Sequence, residues 1–224
     1  MRERSVKSVV DEIQELSEKY GIRHITWLDD DLLFDGKRAM ALFNEITERK
    51  MGITWDASNG LISAAITPAI MQAMSESGCI GFNLGIESGN EKMLRAMHKP
   101  GTLATFRKSK TFIDEYPHIF VKGFLILGFP NETVRMISDT VNFALELCYD
   151  WYPLQALNPL PSTEIYYAMV EQGLIEESLQ TKEVAFLIGP HGRQYLRESS
   201  EKTRPRDFVD LFKVADPDSV PDAK

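Results

Sequence analysis

The 224 residues carry 33 acidic against 25 basic side chains, a formal net charge of -8, with 43% hydrophobic and 26% charged residues. That length suffices for one large domain with a real core, and the balance is ordinary for a folded chain, which excludes global disorder. The acidic balance excludes a nucleic-acid surface spread over the domain; with no apolar run of bilayer length and a charged start, the expectation is a cytoplasmic protein without a membrane partner.

Val6, Val9, Val10, Ile13 and Leu16 recur at helical spacing after Ser5, and Gly21 supplies a stop. Residues 22–28 then read as a strand ending in Asp29, Asp30 and Asp31, with His24 inside it as a satisfied core histidine. Asp35 caps a second helix with Ala39, Leu42, Phe43 and Ile46 on one stripe. Residues 53–57 read as the next strand, followed by Ser58 and Asn59, and Thr67-Pro68 opens a helix that Gly78 closes. A strand over 79–84 leads into Gly85-Ile86-Glu87-Ser88-Gly89-Asn90; a short helix through Met93, Leu94 and Met97 and a longer one through Phe106, Phe112 and Ile113 follow.

Residues 121–127 form an apolar run without period-2 alternation, the pattern of a strand buried on both faces of a parallel sheet. The run stops at Gly128, and Asn131 is placed to cap the next helix, with Glu132 adding negative charge to its first turn. Gly128 lets the backbone approach a flat ligand, or simply makes a tight turn. A helix through Val141, Phe143 and Leu147 precedes a strand over 151–157 that ends at Asn158, and Thr163 caps a last helix closed by Gly173. Beyond Gln180 the pattern fades, with a short element over 184–188 and a loose Pro- and Asp-rich tail over 215–224.

Five helix-then-strand units in series predict an α/β chain with a parallel sheet, open or curled into a full or partial barrel, whose site lies at the C-terminal strand ends. The polar groups past those ends are Asp29–Asp31, Ser58, Asn59, Glu87, Ser88, Gly128, Glu132 and Asn158. The three aspartates suit Mg²⁺, a ligand ammonium, or a helix cap. Glu87 and Ser88 between two glycines suit a ribose or an amino-acid moiety, or a turn in which Ser88 or Asn90 caps the next helix. Lys99 is a cation for a ligand carboxylate, or a solvated lysine. The two cysteines, Cys79 and Cys148, lie far apart and read as core thiols.

Taken together, Asp-Asp after one strand, Gly-Ile-Glu-Ser-Gly-Asn-Glu-x-Met-Leu-x-x-Met-x-Lys-Pro (85–100), Gly-Phe-Leu-Ile-Leu-Gly-Phe-Pro-Asn-Glu-Thr (123–133) and Asn-Pro-Leu-Pro-Ser-Thr-Glu-Ile-Tyr (158–166) resemble the radical S-adenosylmethionine superfamily. The nearest branch is the one with an N-terminal cobalamin-binding domain, similar also to methylthiotransferases. The resemblance covers roughly residues 5–175 and implies a partial (β/α)6 TIM-like barrel over 1–178 with its first strand and cluster loop missing, followed by an extension over 179–224. It implies that S-adenosylmethionine meets Asp29 and Asp30 at its amino group, Glu87 and Ser88 at the ribose or methionine end, Lys99 at the carboxylate, and Gly128 with the turn to Glu132, Leu157 and Asn158 at the adenine.

The family's Cys-x3-Cys-x2-Cys motif, which holds a 4Fe-4S cluster, does not occur in this sequence. The chain therefore reads as the C-terminal portion of a radical enzyme, with a methyltransferase among its forms, inactive by itself. The cluster, and cobalamin through an N-terminal domain, would come from an upstream domain or a separate chain. The substrate, small or macromolecular, is not legible. Two other readings stand beside it: a Mg²⁺-dependent hydrolase or transferase built on Asp29–Asp31, and a degenerate barrel kept as a binding module.

Overall fold

In the computed structural model, which describes residues 3–99 and 101–174, five strands alternate with helices in chain order. They are α1 (Val6–Tyr20), β1 (His24–Trp27), α2 (Gly36–Glu48), β2 (Thr54–Leu61), α3 (Pro68–Glu76), β3 (Cys79–Glu87), α4 (Glu91–Ala96), α5 (Leu103–Ile113), β4 (Phe120–Leu127), α6 (Val134–Leu147), β5 (Leu154–Ala156) and α7 (Glu164–Glu171). The expected extension over 179–224, with its element over 184–188 and its tail, lies outside the described residues, as does Pro100. Among the described residues no helix is long and apolar enough to cross a membrane.

The sheet order is β1-β2-β3-β4-β5, identical to the chain order, and the first three pairings are parallel. A doubly wound sheet would reverse direction at a switch point, whereas an unreversed parallel order is that of a (β/α) barrel. The α/β partial barrel expected from sequence is therefore the fold.

By contact density the described residues divide into one unit running to Leu125 and including Thr140–Leu154, and a second made of Ile126–Asp139 and the residues from Gln155 to Leu174. In the first unit local chemistry starts and stops the helices. Ser5 Oγ accepts the Ser8 N–H at 3.2 Å and Gly21 sits at φ 69° after α1. Asp35 accepts the Lys37 and Arg38 N–H groups, and Thr67 caps α3 with Pro68 in its first position. Trp55 lies at the centre of the core, fully buried, stacked on Phe43 at 5.1 Å and crossed edge-on by Trp27, with its Nε1–H donated to Ser77 Oγ at 3.1 Å.

Several boundaries differ from expectation for tertiary reasons. The first strand shrinks to four residues and its His24 is exposed, with Nδ1 2.9 Å from Thr54 Oγ1. The second extends to Leu61, so Ser58 and Asn59 lie within a strand, across an irregular register with β3. The third continues through Glu87, because β4 pairs with it there across a bulge. Cys148 is exposed rather than in the core, although Cys79 is buried. Strand β5 keeps only three residues of the expected seven.

Most instructive is β4, expected to be buried throughout. Instead Val121, Gly123 and Leu125 are buried while Lys122 and Phe124 are only half-buried and Phe120 is exposed. Register carries the same division across the sheet. Phe82 pairs with Val121 and Leu84 with Gly123 on the helix-covered face, whereas Asn83 pairs with Lys122 on the other. On that second face His24, Thr26 and Thr54 are exposed and Asp56 is half-buried. A closed barrel fills this face with branched apolar side chains. Here it is open, and its β1 and β2 side chains are polar.

Candidate functional site

The rim of the first unit is built by the ends of β1, β2 and β3. Beyond β1 the chain turns at Asp31, whose Oδ1 accepts the Leu33 N–H at 3.1 Å while Oδ2 is buried without a hydrogen-bond partner. Burial raises the Asp31 pKa against the lowering effect of the Leu33 and Ile62 N–H groups. From β2, the Asn59 side chain donates to the Leu28 carbonyl at 2.9 Å and so ties two strand ends together. At the end of β3, Glu87 adopts φ 66°, a left-handed backbone that costs a glutamate strain. Its carboxylate pairs with Lys99 Nζ at 2.7 Å.

These groups face a cleft of about 170 Å³ lined by Asp30, Asp31, Asn59, Glu87 and Lys99 among others. Gly85 lies beneath the ion pair, and a Cβ there would stand 2.8 Å from Glu87 Oε1 and 3.2 Å from Lys99 Nζ. A side chain at Gly85 would push the ends of Glu87 and Lys99 aside, so the bare backbone leaves the pair the place it occupies.

Two candidates fall outside that cleft. Asp29 lines a separate cavity of about 270 Å³ with Trp27, Asp31 and Arg38. Ser88 is fully buried, its hydroxyl 3.1 Å from Thr140 Oγ1 and accepting the Asn90 N–H at 3.1 Å; Asn90, not Ser88, caps α4. The Mg²⁺ reading loses its ligand set, since among the described residues no three His, Cys, Asp or Glu side chains are grouped to hold a metal ion.

In the second unit the turn after β4 is held by Glu132. Its Oε2 accepts the Gly128 N–H at 2.6 Å and the Phe129 N–H at 3.3 Å, and the residue is 1% exposed. Sequence alone puts this carboxylate in the first turn of the helix, with Asn131 as cap. Instead Asn131 takes φ 64°, Thr133 Oγ1 accepts the Met136 N–H as the helix starts at Val134, and Glu132 reaches back to the strand end. Gly128 stands at φ 90°, and among the described residues beyond its chain neighbours only Leu157 N comes within 4.0 Å of a would-be Cβ. The Leu157 N–H donates to the Leu127 carbonyl at 2.7 Å, which brings the Gly128 turn and the end of β5 together. Asn158 follows, half-buried.

Burial raises the pKa of Glu132 above its ordinary value of 4.5, against the two N–H groups that lower it. Its Oε1 is buried with no hydrogen-bond partner, which makes it the natural seat for a proton. A carboxyl whose folded pKa is raised binds protons more tightly folded than unfolded. The stability it brings is full below about pH 4.5 and is lost as pH rises through the raised folded value. Glu132→Gln should therefore flatten the decline of stability above pH 4.5. Urea midpoints measured at pH 5 and pH 7 check this; equal declines in the variant and the parent would refute it.

Sequence reasoning missed the open face of the sheet. His24 Nε2 stands 3.5 Å from Asp56 Oδ1, Asn83 Nδ2 donates to the Ser58 carbonyl, and Lys122 occupies the middle of β4. A lysine in an apolar run and an aspartate between Trp55 and Ala57 were the signals available.

The profile of the radical SAM superfamily matches residues 1–144. An uncharacterized methyltransferase of Pyrococcus horikoshii is 29% identical over 178 residues, 78% of this chain and 37% of that protein. The cytidylyl-2-hydroxyethylphosphonate methyltransferase of Streptomyces wedmorensis is 28% identical over 191 residues, 80% of this chain and 35% of that protein. The structure of the radical S-adenosylmethionine methyltransferase TsrM from Kitasatospora setae, with cobalamin and a 4Fe-4S cluster bound, matches with a TM-score of 0.67 at 19% identity. That match covers 76% of this chain and 32% of the other and is a likeness of fold. The chain spans little more than a third of the length of these curated relatives.

Proposed function

Because the chain belongs to the radical S-adenosylmethionine superfamily, we propose that its strand-end rim holds S-adenosylmethionine and that it forms the substrate-side part of a methyltransferase. The observation that carries this reading is the gathering of both charge signs in one cleft. An amino acid's ammonium finds the carboxylates of Asp30 and Glu87, and its carboxylate finds Lys99. Within the second unit, taken by itself, the Gly128 turn with Leu157 beside it would take a flat ring against its backbone, as the family resemblance implies for adenine. Asp29, Ser88 and Asn158 would act by shaping these segments.

When bound, S-adenosylmethionine supplies the methyl group or the adenosyl fragment on which the family's chemistry depends. The chain's own residues bind and orient it. The iron–sulfur cluster is a different matter, because the donor set does not fit. A cluster needs several thiolates in one place. Here Cys79 is buried in β3 with its thiol pushed up to about 12, and Cys148 is exposed beyond α6. We place the cluster, and cobalamin if the reaction uses it, on polypeptide outside this sequence, which leaves the isolated chain without turnover.

Titration with S-adenosylhomocysteine and with adenosine, followed by ligand-observed NMR, tests the rim. Lys99→Met should weaken S-adenosylhomocysteine about tenfold or more, the size expected for a charge-assisted hydrogen bond, and leave adenosine unchanged. Absence of binding at millimolar ligand, or equal loss for both ligands, would remove the assignment.

A further inference from the structure

The face of the sheet turned away from the helices carries a second grouping that the rim does not use. Along β4, Phe120, Lys122 and Phe124 alternate onto this face, and Trp151 pairs with Lys122 in a parallel bridge from the neighbouring segment and so projects to the same side. Tyr152, the next residue, goes to the opposite side, where its ring would stand 2.8 Å from a Cβ on Gly123. Phe120 is 47% and Trp151 61% exposed, large apolar surfaces left to water in the middle and at the flank of a parallel sheet.

Among them sits one cation. Among the described residues no carboxylate forms an ion pair with Lys122, whose Nζ lies 5.8 Å from the centre of the Phe120 ring. On β3 its register partner is Asn83, and the Asp56 carboxylate belongs to β2, on the far side of β3. Apolar walls with one or two placed polar groups are the make-up of a small-molecule site. A lone ammonium flanked by aromatic rings selects an anion with a flat apolar body.

We propose that this face binds a planar, unsaturated organic acid, its anionic group on Lys122 and its ring system against Phe120, Phe124 and Trp151. The inference rests on the reading above in taking that acid to be the substrate presented to the rim. Register gives its scale. Glu87 is level with Leu125, three residues beyond Lys122 on β4, so the acid group and the reacting end stand on the order of 10 Å apart at about 3.3 Å per residue.

The test uses 2-naphthoate, its neutral amide and 2-naphthylmethylamine as probes in saturation-transfer NMR, with S-adenosylhomocysteine titrated in parallel. The full chain should bind naphthoate at least tenfold more tightly than the amide or the amine. Lys122→Met should bring naphthoate and amide within twofold of each other, and Lys122→Arg should restore most of the preference. Phe124→Ala should weaken naphthoate and amide alike. S-adenosylhomocysteine binding that survives while naphthoate shows no charge preference overturns this inference alone. Naphthoate selectivity that persists in Lys122→Met overturns it as well. Naphthoate selectivity lost in Lys122→Met on a chain that ignores S-adenosylhomocysteine upholds the acid site and sinks the rim assignment instead.

Discussion

Trp55→Ala should lower the unfolding free energy by about 3–5 kcal/mol, the cost of deleting a large aromatic from a packed core. The residue has no exposed surface, and its removal leaves the face of Phe43 and the edge of Trp27 without a partner. It also leaves Ser77 Oγ, in a residue 3% exposed, without the indole donor. Because Trp55 lies on β2 between α2 and α3, the loss falls on the layer that fixes the strand ends of the rim. Urea denaturation at constant m-value reads the change directly. A loss below about 1 kcal/mol would mean that the core collapses to fill the space, contrary to close packing around this ring.

Glu132→Ala should cost about 1–3 kcal/mol and abolish the adenosine recognition proposed for this turn. Two N–H groups, on the exposed Gly128 and the buried Phe129, share one carboxylate oxygen inside the second unit, and a buried donor left unmade costs about 1–3 kcal/mol. The turn they close contains two left-handed residues, Gly128 and Asn131, whose backbone must be held against alternatives. Glu132→Gln keeps an acceptor and should recover most of both properties. If Glu132→Ala unfolds at the parent's urea midpoint and binds adenosine normally, the carboxylate does not hold this turn.

The signals legible in the chain were those decided within a few residues. Asp35, Thr67-Pro68 and Thr163 announce helix starts by their own side chains, and each caps as read. Alternation of helical and strand periods gave the parallel sheet. What stayed hidden depends on partners distant in sequence. Gly85-Ile86-Glu87 looks like a turn, yet pairing with Phe124 and Leu125 keeps it in β3 and forces the bulge that presents Glu87 to Lys99. Glu132 follows a strand and precedes a helix, and nothing local says that its side chain turns back rather than forward. Phe124, Leu125 and Ile126 are equally apolar, so periodicity could not reveal that β4 has a covered face and an open one. Lys122 alone carried that information.

Identity between the order of strands in space and along the chain bears on how the polypeptide matures. Each crossover joins neighbours, so every new strand meets an edge made by the residues synthesised just before it, and no strand has to wait for a partner still to be translated. The sheet can grow by accretion at the ribosome, one βα unit at a time, each new strand adding at the edge opposite β1. Once α5 has emerged, β1, β2 and β3 are already free to pair in register, Glu87 included, while the Gly128 turn is still inside the exit tunnel.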